Sequence, residues 1–433
     1  MLTFFQRQAY ASGAFTKSTL WNFTDLLLLY YFADIQGLGA AAAGLILMVS
    51  LLVSGVLDIS LSLLLDRYNL HYQKVIASGA PLTVLSFAIL FYPLPAGADY
   101  LFTFYLVVTI LFRIGYALVD IPHNAMMGSL TRDSHERTRL SSSRIFYNSC
   151  AILLFAAFAG DTLAMLESQD NGMRTILLIT ASVFMLVNIY LCILPVWREG
   201  NLTAVKHPPP LSKAFRALLR NKAFMVLALY SLLPCIFIPV FYKSGVYFAS
   251  MLFHDEKLTT WLIMSLAAGK LVALPWFNHL SQRMEKHHAM ILALAGLAVT
   301  FLSFLLLIPA TMTGACVYFV VCGFFSGGLL VLVWSALPDT IEYGARDQGI
   351  PNQALTFGAF HLVMRISDGL SFAVIAGALE YAAQSANADI ESVLFVEIIS
   401  LVASAGCLLG AVVLWFYPLT RAVHNALATE KDK

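Results

Sequence analysis

REGNLTAVKHPPPLSKAFRALLRNK, from Arg198 to Lys222, is polar and basic and carries the run Pro208-Pro209-Pro210, too stiff and too wet to lie inside a bilayer. On both sides the chain changes character: long apolar runs follow one another, broken by Gly, Pro and charge clusters. Before it the runs fall near 15–34, 40–65, 74–94, 101–128, 143–166 and 174–197. After it they fall near 223–251, 258–280, 289–309, 312–337, 352–381 and 390–418. The stretch therefore reads as a linker, 198–222, between two six-helix bundles, 1–197 and 223–418, with a short tail, 419–433. The fold class is an all-α membrane protein.

Composition points the same way. The chain has 433 residues, is 59% hydrophobic and only 12% charged, against roughly 25% charged in soluble proteins, which excludes a water-soluble globule. Twelve spans of roughly 20 residues with short loops use up most of the length, so no large extramembrane domain is expected. Lys+Arg 26 against Asp+Glu 25 leaves a net charge of +1, which argues against a nucleic-acid partner. Placing the termini, the even-to-odd loops and the linker on one side gathers most of the basic residues there. Arg174 and Lys257 fall on the other side, and Lys17, Arg113, Lys243, Lys270 and Arg365 fall within spans. Both termini are thus expected in the cytoplasm. The stretch MLTFFQRQAYASGAF lacks a cleavage motif and runs into the first span, so it is expected to be retained.

Cys150, Cys192, Cys235, Cys316, Cys322 and Cys407 all lie in apolar stretches, with no CxxC pair and no Cys/His cluster at ligand spacing. They read as buried, reduced packing residues, and neither a metal nor a cofactor is expected. Two equal halves around a basic linker form the layout of the major facilitator fold, whose halves are parallel repeats. A six-plus-six ABC exporter would need nucleotide-binding machinery, and no GxxxxGK[ST] occurs.

Two loop stretches are more specific. YALVDIPHNAMMGSLTRDSHERTRLSSSR, Tyr116 to Arg144, ends a span in Asp120-x-Pro122 and continues through Leu-Thr-x-Asp133, Glu-Arg137-Thr and Arg144. DTIEYGARDQGIPNQALTFGAFHLVMR, Asp339 to Arg365, carries Asp339-x-x-Glu342-Tyr-Gly and then Arg365 in the eleventh span. With GAFTKS at Gly13 to Ser18, YYFADIQGL at Tyr30 to Leu38 and VLDISLSLLLDR at Val56 to Arg67, these stretches resemble the glycoside–pentoside–hexuronide:cation symporters, the melibiose-permease-like branch of the major facilitators. The resemblance covers most of the chain. It implies a cation-coupled carrier of the bacterial inner membrane, and a cytoplasmic latch made by Asp66, Arg67, Asp133, Arg137, Arg144, Asp339 and Glu342. The other reading of these loops is a solvated basic surface facing anionic lipid.

Departures from the family pattern narrow the substrate. The first-span sugar acid corresponds to Ser18, and the stacking Trp after the Asp-x-Pro element corresponds to Asn124, which argues against a galactoside. The second-span cation site keeps Asp58 but has Ser54 one turn earlier, with Leu57 and Ala117 where polar ligands are expected. Sodium needs several oxygen ligands, so protons are the expected coupling ion and sodium the lesser alternative.

Ionisable groups at mid-bilayer cost about 2.5 kcal/mol or more on insertion scales and are functional candidates by default. Asp58, among Ser54, Ser60 and Ser62, is the candidate proton carrier, against a purely structural, hydrogen-bonded acid. Arg113 and Asp120 lie two turns apart on one face of the fourth span, about 10.5 Å along the axis, so both are expected to face the cavity without pairing closely. Asp120 matches the family's span-four substrate-binding Asp; Arg113 is either a ligand or the partner of an acid elsewhere. Asp25 is one turn from Trp21, and Trp21 with Tyr30 is either packing or a stacking platform. Lys243 follows Pro234 and Pro239 and either lines a bent span or snorkels outward. Lys270 lies near the middle of the eighth span, and Asp368 follows Arg365 by three residues. Gly323 and Gly327 form a GxxxG, read as close packing before a homodimer seam. Among the histidines only His123, beside Asp120 and Pro122, suggests a proton role.

The expected function is symport of a small polar solute by alternating access. Asp58, Ser54, Asp120 and Arg365 form the coupling set, and Ser18, Trp21, Asp25, Arg113, Asp120, Asn124, Lys243 and Lys270 the substrate set. Arg113, Lys243, Lys270 and Arg365 outnumber Asp58 and Asp120, which favours an acidic solute such as a uronide unless Asp25 and Asp368 balance the remainder. A lipid or lysolipid translocator of the same fold is the rival, and a non-transporting sensor would be expected to lose these mid-span charges. No nucleophile–base set suggests an enzyme. A monomer is expected.

Overall fold

The computed structural model describes residues 3–68, 70–92, 94, 100–130, 134–167, 171–194, 211–309, 311–348, 353–384 and 388–418, with some side chains inside these helices excepted. Asp133 and the side chains of Asp66, Arg67, Arg137 and Glu342 lie outside the described set. The described residues are helical with no strand among them, and they fall into two compact units, Met1–Pro208 and Pro209–Lys433.

The first unit opens with α1 (Phe4–Leu26), started by a capping box in which the Thr3 hydroxyl accepts from the Gln6 backbone and the Gln6 side chain returns the bond. The chain continues through α2 (Leu28–Tyr30) and a π turn (Tyr31–Ile35), then α3 (Ala40–Tyr68), α4 (Tyr72–Leu90), α5 (Leu101–Leu130), α6 (Ser134–Glu167) and α7 (Asn171–Ile193). The second unit contains α8 (Leu211–Arg220), α9 (Lys222–Lys243), α10 (Gly245–Phe253), α11 (Thr259–Arg283), α12 (Lys286–Leu306), α13 (Met312–Gln348), α14 (Gln353–Ala382) and α15 (Ala388–Leu414). The polar linker thus contains a helix, α8, that its prolines and charges did not suggest. Several helices outrun their apolar stretches, α6 and α13 most of all, because backbone bonding persists beyond the hydrocarbon layer.

Eleven helices among the described residues are long and apolar enough to cross a membrane. The segment from Phe4 to Ile35 is long enough, but Lys17, Asp25 and a run of Thr and Ser lower its hydropathy; it is the first of the twelve helices of the fold. On α7 the side chains of Ile176, Ile179, Val183, Val187 and Leu191 are exposed at helical spacing. Such a stripe would be costly in water and is at home against lipid.

Within the first unit α1 packs on α6 and α7, α4 on α5 and α7, and α3 on α5. The second unit repeats the scheme: α9 packs on α14 and α15, α12 on α15, and α11 on α13. The two units thus share one packing scheme, the internal repeat expected of the fold. The GxxxG of α13 serves the α11–α13 contact: a Cβ on Gly323 would fall 2.1 Å from the Leu266 carbonyl oxygen, and one on Gly269 would fall 2.0 Å from that of Val320. Close intramolecular packing is therefore the role of that motif. All six cysteines are free; Cys192, Cys322 and Cys407 are buried, whereas Cys150, Cys235 and Cys316 are half-buried rather than buried as expected.

Candidate functional site

In the first unit the polar residues of α1 and α5 meet. Asp120 and Asn124 are one turn apart, so their side chains share a face, and Lys17 of α1 drops between them. Its Nζ donates to Asp120 Oδ1 at 2.7 Å and to Asn124 Oδ1 at 2.9 Å, while Asn124 Nδ2 donates to Asp120 Oδ1 at 3.1 Å. From α6, Arg144 Nη2 donates to Asn124 Oδ1 at 2.5 Å. Lys17 is buried and Asp120 is mostly so. Tyr10 and His123 form one wall: their rings stack at 4.5 Å, the Tyr10 hydroxyl donates to the His123 carbonyl, and His123 Nε2 lies 2.9 Å from the Tyr10 carbonyl oxygen. That backbone engagement gives His123 a structural task.

Two turns along α5, Arg113 sits with its guanidinium carbon 4.8 Å from the Trp21 ring and 5.6 Å from that of Phe112, and Trp21 also meets Tyr116 at 5.6 Å. Arg113 and Asp120 thus belong to neighbouring clusters, as their separation along the helix requires. Trp21 is packed against the buried Arg113 in a cation–π contact. Ser18 accepts from Asn22 on its own helix, and Asp25 is buried on the same helix. On α3, Ser54 and Asp58 are both buried, and the Ser62 hydroxyl donates to the Asp58 backbone carbonyl.

In the second unit Lys243 ends α9 at a break: the chain re-enters a helix at Gly245, in α10. Its side chain is 2% exposed, so it does not snorkel. Nζ donates to Asp368 Oδ1 at 2.5 Å and to the Ser371 hydroxyl at 3.3 Å, and lies 3.9 Å from the centre of the Phe372 ring. Asp368 therefore cancels Lys243, and the surplus of basic groups read from the sequence shrinks by that pair. Lys270 lies 4.9 Å from the Tyr242 ring. Arg365 is on α14, one turn before Asp368, and belongs to a different unit from Asp58 and Asp120.

Of the latch set, Asp339 accepts from Lys286 of α12 at 2.7 Å, and Arg144 reaches Asn124 and the Tyr10 ring at 6.0 Å. Asp133 and the side chains of Asp66, Arg67, Arg137 and Glu342 lie outside the described residues. Sequence reasoning missed Lys17 as a member of the Asp120 cluster. The signal was present: it is the one Lys or Arg of the first span and stands a turn before Trp21. Lys286 was missed because its partner lies on another helix.

The family described as MFS/sugar transport protein matches residues 9–421. The chain belongs to that family. This transporter is 24% identical over 438 residues to the glucuronide carrier protein homolog of Escherichia coli (strain K12), covering 98% of this chain and 94% of that one. It is 22% identical to the isoprimeverose transporter of Lactiplantibacillus pentosus, covering 100% and 92%. The crystal structure of the nucleoside transporter NupG superposes with a TM-score of 0.70 at 13% identity, covering 96% of this chain and all of that one, which fixes the fold. The likeness to the glycoside–pentoside–hexuronide:cation symporters is upheld, and the relatives are transporters, not enzymes. A multi-pass membrane protein with a small-molecule substrate follows.

Proposed function

We propose that this transporter carries out proton-coupled symport of an acidic sugar derivative of the uronide class by alternating access. The observation that carries the reading is the cluster of the buried Lys17, the half-buried Asp120 and the exposed Asn124, with Arg144 at its edge. Placing ionisable groups in a span is costly, and α1 and α5 could pack with apolar side chains at these positions. The cluster offers ammonium, guanidinium and amide donors beside carboxylate and amide acceptors, which suits a polyhydroxylated solute. Donors of this kind also suit a carboxylate, since charge-assisted bonds are the stronger ones. The relative named as a glucuronide carrier homolog supports an acidic sugar.

Asp58 is the proposed proton carrier, buried on α3 in the same unit. Coupling would arise because proton and solute stabilise the same occluded state, each therefore raising the affinity for the other. The proposed setting is the bacterial inner membrane, with a monomer whose termini are both cytoplasmic.

Uptake of a labelled glucuronide into proteoliposomes tests this. A pH gradient is expected to drive accumulation, a sodium gradient is not, and Asp58→Asn is expected to exchange solute without concentrating it. Accumulation by the variant under the same gradient overturns the assignment of Asp58. Drive by sodium overturns the cation, and uptake of neutral galactosides or lysolipids in place of glucuronide overturns the substrate class.

A further inference from the structure

At the start of α12 the run Glu285-Lys286-His287-His288 brings three potential metal ligands together: one ligand atom from each of Glu285, His287 and His288 lies within 4.8 Å of the others. The sequence did not suggest this, because neighbours along a chain converge only when the local backbone turns them to one side. Glu285 is the residue before the helix, yet its carboxylate makes no cap bond to the first turn. It turns instead towards His287, with Oε2 3.2 Å from Nδ1. That approach lacks hydrogen-bond geometry, and Nδ1 is buried without a hydrogen-bond partner among the described residues. His287 as a whole is 8% exposed, and its ring lies 4.1 Å from that of the exposed His288, which leaves an entry path from solvent.

The lysine inside the run would oppose a cation, but it is directed elsewhere. Lys286 Nζ donates to Asp339 Oδ2 at 2.7 Å and to the Ser335 carbonyl at 2.9 Å, both on α13. Its charge is neutralised there, leaving the Glu285 carboxylate to the histidines. We propose that Glu285, His287 and His288 form a binding site for a zinc-class transition metal, which fastens the start of α12 beside the Lys286–Asp339 bridge and slows transport when filled. Two imidazoles and one carboxylate are the ligand set of open zinc sites, with a fourth position for water. Small side-chain rotations bring the three atoms to the roughly 3.4 Å that separates ligands around a tetrahedral zinc.

The test uses the full-length purified protein and Co²⁺ alone as an optical probe. One Co²⁺ per chain with tetrahedral ligand-field bands, displaced by Zn²⁺, is the expected result. Glu285→Gln and His288→Gln are each expected to weaken binding about tenfold or more. His288 is exposed, so that variant is expected to fold and to transport normally in metal-free buffer, and flux through it is expected to be insensitive to Zn²⁺. Unchanged Co²⁺ binding in both variants, or no bands in the wild type, overturns the site. Zn²⁺ inhibition that persists in His288→Gln overturns the link to transport. The binding arm needs no substrate, so its failure is distinct from failure of the uronide reading.

Discussion

Each unit buries a lysine of its first spanning segment and meets it with an aspartate, but the two pairs are built differently. Lys17 and Asp120 share Asn124, which also accepts from Arg144, so the ammonium has a carboxylate and an amide on it and the carboxylate has a second donor. Lys243 has Asp368, the Ser371 hydroxyl and the face of Phe372, at a break between two helices. In the first unit the charge sits in a polar network whose members can exchange partners. In the second it meets an acid, a hydroxyl and an aromatic face where one helix stops and the next begins.

The largest effect is expected where a carboxylate lies against a lysine side chain only 2% exposed. Asp368→Ala leaves the Lys243 ammonium without its carboxylate and is expected to cost about 3–5 kcal/mol, read as a large drop in thermal stability of the purified protein. The pair replacement Lys243→Met with Asp368→Leu is expected to recover most of that loss. Asp120→Asn keeps an acceptor for Lys17 and is expected to cost less, about 1.5–3 kcal/mol, while abolishing glucuronide uptake. Equal destabilisation by Asp368→Ala and Asp120→Asn would break the contrast.

Helix packing offers a second comparison. A Cβ on Gly269 would fall 2.0 Å from the Val320 carbonyl oxygen, and one on Gly115 would fall 2.6 Å from the Thr83 backbone nitrogen. Gly269→Ala is expected to lose about 1–3 kcal/mol and Gly115→Ala less. Gly377→Ala, with nothing within 4 Å, is expected to lose nothing. A reversed order in melting temperature would show that α11 and α13 yield more readily than α4 and α5.

Among the ion pairs, the smallest stability effect is expected at Lys286 and Asp339. Lys286 and Asp339 are 33% and 23% exposed, so their bridge is screened. Asp339→Ala is expected to cost less than about 1 kcal/mol. Its effect belongs to kinetics: slower turnover with little change in substrate affinity, measured by binding and flux on the same preparation. A large loss of affinity would move Asp339 from the latch into the substrate site.

The sequence by itself determined the class of fold, because crossing a bilayer demands long apolar helices and the polar linker cannot cross. It also named Asp58, Asp120, Arg113 and Lys243 as exceptional, since a charge inside an apolar run is visible without coordinates. The tertiary structure decided which charge meets which. Lys17 joins Asp120, Arg113 lies on Trp21, and Lys243 takes Asp368. The partners in each case stand on different helices, where neither spacing nor periodicity carries information. Glu285, His287 and His288 make the converse case: they are neighbours in the chain, yet only the backbone at the start of α12 decides that their ligand atoms converge and that the lysine between them points away.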